Sequence, residues 1–174
     1  MKRVVVSGGF DPVHVGHIRL FNEARELGDH LTVILNADNF LMQKKGYIFM
    51  PFNERKAVIE NLRAVDSVIE SIDEDNTVIE TIKKLKKQDL IDIFANGGDR
   101  REEKEIPEFT VCKNLEIETV FNIGGEKIQS SSALIKPFEN YIENRSWGYF
   151  ENLEVGKNYL VKRIVVNKNE KLSV

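Results

Sequence analysis

A chain of 174 residues has room for one ordinary domain and a small appendage. With 41% hydrophobic and 30% charged residues it has the composition of a globular protein, and a net charge of −3 offers no broad basic surface for nucleic acid, so any phosphate site must be local. The single cysteine, Cys112, excludes an internal disulfide and a thiolate zinc site, no apolar run approaches the ~20 residues that span a bilayer, and no leader pattern precedes the first strand, so a reducing, cytoplasmic setting away from membranes is expected.

Arg3–Val6 is a β-branched run that reads as a buried strand, and Ile18–Leu27 carries apolar residues at helical spacing. Between them lies Ser7-Gly8-Gly9-Phe10-Asp11-Pro12-Val13-His14-Val15-Gly16-His17. Gly8 and Gly9 let a backbone pass close to a ligand. The start of the following helix supplies unpaired N–H groups and a positive dipole end, which suit a phosphate. His14 and His17, three apart, share one face once helical, and two imidazoles aimed at one anion would stabilise charge on phosphorus.

Leu31–Leu35 reads as a second strand, Asn36-Ala37-Asp38 ends it, and Gln43-Lys44-Lys45-Gly46 reads as a basic loop. A helix capped by Asn53 is expected to turn Ala57, Val58, Leu62 and Val65 inward. Ser67–Glu70 is a short strand, and Thr77–Leu85 a helix whose terminal lysines complement the dipole. Leu90–Ala95 is a strand stopped by Asn96-Gly97-Gly98-Asp99, Glu102–Cys112 is mixed and helical, and Ile117–Phe121 is a fifth strand. Ser130-Ser131-Ser132 then opens a last helix through Leu134, Phe138 and Ile142. Strands alternating with helices predict an α/β fold, a Rossmann-like doubly wound parallel sheet with ligand loops at the carboxyl ends of its strands. After Asn144 the chain turns aromatic and β-branched, so a domain over 1–144 is expected to carry a two-strand β extension over 145–174. A lone hairpin is marginal in water, so the extension should pack on the main domain or on a second subunit; a homodimer is expected.

His14-Val15-Gly16-His17, with Gly8-Gly9-Phe10-Asp11-Pro12 before it, resembles the HxGH signature of the nucleotidylyltransferase superfamily, and within it the cytidylyltransferase-like enzymes. The resemblance implies transfer of CMP or AMP from CTP or ATP to a phosphorylated small molecule, such as a sugar or polyol phosphate. Pyrophosphate is released and Mg²⁺ arrives with the NTP. It implies that His14 and His17 are catalytic, contacting the NTP phosphates. The basic loop would supply Lys44, with Lys45 beside Gly46 as the alternative. Gly8, Gly9, Phe10 and Asp11 would wrap the triphosphate, and Arg55 lies in a segment like the family's Glu-x-Arg-Lys. Gly97 and Asp99 match a Gly-Gly-Asp near base and ribose, and Ser130, Ser131 and Ser132 match a hydroxyl cluster at the β- and γ-phosphates; no protein metal ligands are implied. Two features depart from the pattern. Ile135 stands where the serine motif has arginine, and Asn122–Lys127 replaces an Arg-Thr-x-Gly segment. They leave the base open between cytosine and adenine, and leave a non-catalytic nucleotide sensor or assembly module as the alternative. The tail resembles the opening of the cupin domain of type II mannose-6-phosphate isomerases, with Ser146 in place of a proline and none of the metal-binding histidines that follow there.

Overall fold

The run Val4-Val5-Val6 is wholly buried and forms the middle of the central sheet. The computed structural model describes residues 1–97, 107–125, 128–139, 142–156 and 158–172, and the chain divides into two compact units, Met1–Ser131 and Ser132–Val174. In the first, β1 (Arg3–Gly8) leads to α1 (Val15–Glu26), β2 (His30–Leu35), α2 (Asp38–Lys45), α3 (Phe52–Glu60) and β3 (Ser67–Glu70). After these come α4 (Ile79–Lys87), β4 (Ile93–Gly97), α5 (Phe109–Asn114) and β5 (Glu118–Ile123). The five strands are all parallel in the order β3-β2-β1-β4-β5, with Val4 level with Leu31 on one side and Ile93 on the other. This is the expected Rossmann-like doubly wound sheet. The strand order reverses at β1 and β4, and the carboxyl edge at such a switch point is where these folds bind ligands.

Alternation along the strands sorts the core. Val4, Val6, Leu31, Val33, Leu35, Ile93 and Ala95 face α1 and α3, where Leu20, Phe21, Ala24 and Ile59 meet them. Val5, Ile34 and Phe94 point the other way, onto Ile82 and Leu85 of α4 and Cys112 of α5. Burial pushes the Cys112 thiol up to about 11, so it behaves as a small hydrophobe.

Several boundaries differ from the sequence reading. The basic "loop" is the last turn of α2, closed by Gly46 in the left-handed region at φ 80°. The cap of α3 is Pro51, and its buried residues are Arg55 and Ile59, with Phe52 and Leu62 partly buried; Val58 is exposed. That spacing of three and four is helical, but an arginine occupies a core position and hides the pattern. Helix α5 begins at Phe109, whereas residues 102–106 of the expected segment lie outside the described residues.

In the second unit α6 (Ser131–Glu139, its first residue closing the first unit) precedes an antiparallel sheet of β6 (Ile142–Arg145), β7 (Gly148–Val155) and β8 (Leu160–Val166). The tail therefore has three strands where two were expected, and Ile142 belongs to β6 instead of the helix. Gly148 has φ 149°, and a side chain there would collide with the Val165 carbonyl, so the β6–β7 turn needs glycine. Arg163 pairs with Glu151 across β7 and β8 at 2.7 Å. Among the described residues, no helix is long and apolar enough to cross a membrane.

Candidate active site

The turn after β1 is built by contacts that the two glycines make room for. Phe10 takes a left-handed backbone at φ 47° and folds its ring back, so a Cβ on Gly8 would lie 2.8 Å from that ring; one on Gly9 would lie 2.6 Å from Leu41. The Phe10 ring stands edge-on to both His17 and Phe21, with centroids at 4.9 and 5.0 Å. Asp11 is fully buried, and its carboxylate accepts the Phe49 and Met50 N–H groups at 3.0 and 2.7 Å. It fastens the segment before α3 to the turn, and both its oxygens are occupied in doing so.

His14 is the N-cap of α1 and so stands just outside the helix. Its Nδ1 accepts the Gly16 N–H at 3.1 Å, while His17 Nδ1 accepts the His14 N–H at 3.3 Å. The two side chains thus cap the helix reciprocally, in the manner of a capping box. Their rings stack with centroids 3.6 Å apart and planes 21° apart. Because each Nδ1 is an acceptor, each neutral ring carries its proton on Nε2, away from the backbone. Burial lowers the His17 pKa to about 3, with further contributions from His14 and Lys45; burial and then Lys45 lower that of His14. Both are therefore neutral donors at physiological pH.

Of the two candidate lysines, Lys45 is the one at the turn. Its ammonium donates to the Asp11 carbonyl at 2.9 Å, and burial pulls its pKa below the ordinary value. Lys44 is exposed, with its ammonium 5.4 Å from the centre of the Phe40 ring. Helical geometry separates these neighbours by about a hundred degrees, which a loop reading could not anticipate.

Arg55 is fully buried. Nε donates to the Met50 carbonyl at 2.9 Å, Nη1 to the Gly9 and Asn36 carbonyls at 2.7 and 2.9 Å, and Nη2 to the Asp38 carboxylate at 2.6 Å. It clasps the ends of β1 and β2 and the entry to α3. Four of its five N–H donors thus go to protein acceptors, which gives the arginine of the Glu-x-Arg-Lys-like segment a structural role. Asp38, which the sequence reading did not single out, completes the clasp by also accepting the Phe52 N–H at 3.2 Å.

From the far side of the chain, Glu23 of α1 accepts the Gly124 N–H at 2.7 Å and anchors the loop after β5. Ile128 approaches Gly16, and Ser131 Oγ donates to the Pro12 carbonyl at 2.8 Å. Ile128 and Ser131 are thus brought to the histidine turn, with Ser130, half-buried, next to Ser131 in sequence. Ser132 opens the second unit and is exposed. Gly97 ends β4, packed so closely on Leu20 that a Cβ would come within 2.8 Å of it. Gly98, Asp99 and Lys127 lie outside the described residues.

Residues 5–136 match the family model described as cytidylyltransferase-like. The chain belongs to the cytidylyltransferase-like family. Glycerol-3-phosphate cytidylyltransferase of Bacillus subtilis is 38% identical over 103 residues, 57% of this chain and 73% of that one. FAD synthase of Archaeoglobus profundus is 32% identical over 154 residues, 87% of this chain and 95% of that one. Among solved structures, the lipopolysaccharide core biosynthesis protein of Thermoplasma volcanium is 30% identical with a TM-score of 0.58, covering 70% of this chain and 96% of that one. The matched stretch of this cytidylyltransferase-like chain contains the histidine turn, the Arg55 clasp and the serines.

Two outcomes are expected of these contacts. Arg55→Lys puts one ammonium where a planar fork served four acceptors, leaving buried carbonyls unpaired; urea unfolding should show a loss of about 3 kcal/mol, the scale for breaking a buried charged cluster. A wild-type midpoint would show the clasp to be dispensable. For His17 the folded pKa of about 3 lies below the ordinary 6.5, so the unfolded chain binds more protons between those values. Stability from this group is full above pH ~6.5 and is lost as pH falls towards 3. His17→Gln should flatten that part of a stability-against-pH curve, and an unchanged acid slope would exclude a buried neutral ring.

Proposed function

We propose that this chain transfers CMP or AMP from CTP or ATP to a sugar or polyol phosphate, using His14, His17, Lys45, Ser130 and Ser131 as its phosphate-binding groups. By family it is a nucleotidyltransferase, and its relatives are named for transfer to glycerol 3-phosphate and for FAD synthesis. The observation that carries the reading is the pair of neutral imidazoles. Both have Nδ1 committed to the backbone, and their Nε2–H groups remain to donate at a helix N-terminus beside Lys45.

In the reaction an oxygen of the acceptor phosphate forms a bond to the α-phosphorus. The bond to the β-phosphate oxygen breaks, and its electron pair leaves with pyrophosphate. Charge grows on the non-bridging and leaving oxygens, so positioned donors do most of the work and little covalent chemistry falls to the protein. Neutral imidazoles suit this task, since they donate without adding a second cation beside Lys45. The helix start adds its N–H groups and dipole.

The described residues offer no cage for a metal. Asp11 spends both oxygens on backbone N–H groups, Asp38 is held by Arg55 and Phe52, and no cluster of three or more His, Cys, Asp or Glu is suited to a cation. Mg²⁺ is accordingly read as part of the substrate, carried on the triphosphate with water as its remaining ligands. The reading takes 1–144 as the transferase domain, 145–174 as an appended β tail through which two copies pair, and the cytoplasm as its setting.

Pyrophosphate release, assayed with CTP and ATP against sugar, glycerol and choline phosphates, tests the reading. One NTP with a sugar or polyol phosphate should turn over; tight NTP binding without turnover would make the chain a nucleotide sensor. His14→Ala and His17→Ala should each lower kcat by roughly 10²–10³, the scale for losing one preorganised donor, with little change in NTP affinity; a wild-type rate would remove that residue from the chemistry. Ending the chain after Asn144 should keep turnover and convert a sedimenting dimer to monomer. A dimer that survives the cut would locate the contact elsewhere.

A further inference from the structure

The sheet face that packs on α4 and α5 changes character over one pleat. Val5, Ile34 and Phe94, on the adjacent strands β1, β2 and β4, are completely buried in its core. Residues two further along a strand project from the same face, and there stand Ser7, Asn36 and Asn96. Asn36 is 5% exposed and Asn96 6%, yet among the described residues Asn36 Oδ1 and Asn96 Nδ2 are buried without a hydrogen-bond partner. Buried polar atoms are nearly always paired, so two orphans at corresponding strand ends call for a cause.

Slack in the backbone does not supply one. Asn36 N–H donates to the Gly8 carbonyl at 3.0 Å, and the Asn36 carbonyl is held by Arg55 at 2.9 Å. On β4 the pairing with β5 slips between Ala95 and Gly97, on either side of Asn96. Two steps on β4 stand there against three on β5, so the extra residue lies in β5 and β4 keeps its alternation through Asn96. The two asparagines flank the end of β1, the strand that runs into the histidine turn, at the switch point of the fold.

We infer that Ser7, Asn36 and Asn96 form the subsite that reads the hydroxyl groups of the phosphorylated acceptor; this rests on the nucleotidyl-transfer reading. Amides and hydroxyls both donate and accept, as an alcohol does, and match it group for group. The trio is uncharged, so it suits the acceptor's carbon chain better than its phosphate. Phe94 is fully buried beneath it and has no face to offer a nucleobase. His17 belongs to the opposite side, packed on Phe10 of the α1-facing core. A ligand across the end of β1 therefore has its phosphates on the α1 side and its hydroxyls on the α4 side.

The experiment compares acceptors and variants. Glycerol 3-phosphate and mannose 1-phosphate are each set against an analogue lacking one hydroxyl, 1,3-propanediol monophosphate and 2-deoxyglucose 1-phosphate. With the wild-type chain, removing the hydroxyl should lower kcat/KM roughly 10- to 100-fold for the acceptor used, the effect of one buried group left unpaired. Asn36→Leu and Asn96→Leu should raise KM for the hydroxylated acceptor by a similar factor and lose the discrimination. The Kd of the NTP alone, by calorimetry, should stay within about twofold. Tm should not fall, since Asn36 Oδ1 and Asn96 Nδ2 are buried without a partner; Ser7→Ala, a smaller change, should weaken the same discrimination. Variants that discriminate as the wild type does overturn the inference, as does a weakened NTP Kd, which would assign the shelf to the nucleoside, or a lowered Tm, which would assign the amides to the fold. Those results leave transfer intact. A wild-type chain with no turnover on any pair overturns transfer and subsite together.

Discussion

A guanidinium shut away from water is the constraint on which this site depends. Arg55 has no exposure, and it meets three main-chain carbonyls and one carboxylate drawn from three separate stretches of chain. Taking a charge out of water is costly, and Coulomb attraction to a single carboxylate seldom repays it. The return here is geometric. A rigid fork imposes fixed directions on its acceptors, so the ends of β1 and β2 and the segment before α3 are set relative to one another. Asp11 repeats the device with opposite sign, holding the Phe49 and Met50 N–H groups. Between them these two buried charges hold a turn that hydrophobic packing alone would leave loosely defined.

What that rigidity delivers is a set of donors without excess charge. The histidines cap their own helix through Nδ1, which fixes both ring orientation and tautomer before any ligand arrives. Burial and the nearby Lys45 keep them neutral. A protonated pair stacked at 3.6 Å would repel itself and the lysine. The neutral pair avoids this and still presents hydrogen-bond donors to an anion. Positive potential then comes from one lysine and a helix end, both fixed in place, which is the preorganisation that electrostatic catalysis requires.

Much of this was legible in the sequence, and the failures have identifiable causes. The order of strands and helices follows from β-branched runs and helical spacing, and the Gly-Gly-Phe-Asp-Pro string with its two histidines marks the candidate site. Lys45 was harder, because the short helix α2 has a single buried residue, Leu41, and so almost no apolar period to detect. The burial of Arg55 is hidden from the sequence because arginine at a core position breaks the binary pattern of apolar and polar residues. Only the positions around it, Phe52, Ile59 and Leu62, reveal the true face of α3. Gly8 and Gly9 also make room for Phe10 and Leu41, a packing role that the string alone does not show. The third strand of the tail escaped notice because Ile142–Arg145 is short and polar, and pairing with β7 defines it better than its own propensity does.

Asn36 shows how stability and function divide a single residue. Its main chain is held on both sides, by Gly8 and by Arg55, while its side-chain oxygen is buried and unpaired among the described residues. A fold selected for stability alone would fill that position with an apolar side chain, as it does with Ile34 one pleat earlier. Fixing the backbone and leaving the amide unsatisfied is instead what a binding group requires. The amide oxygen is held in position, its water already removed, so a matching hydroxyl need displace little on arrival. The buried arginine thus orders the turn that carries the histidines, and through the Asn36 carbonyl it also sets the strand end from which the amide projects.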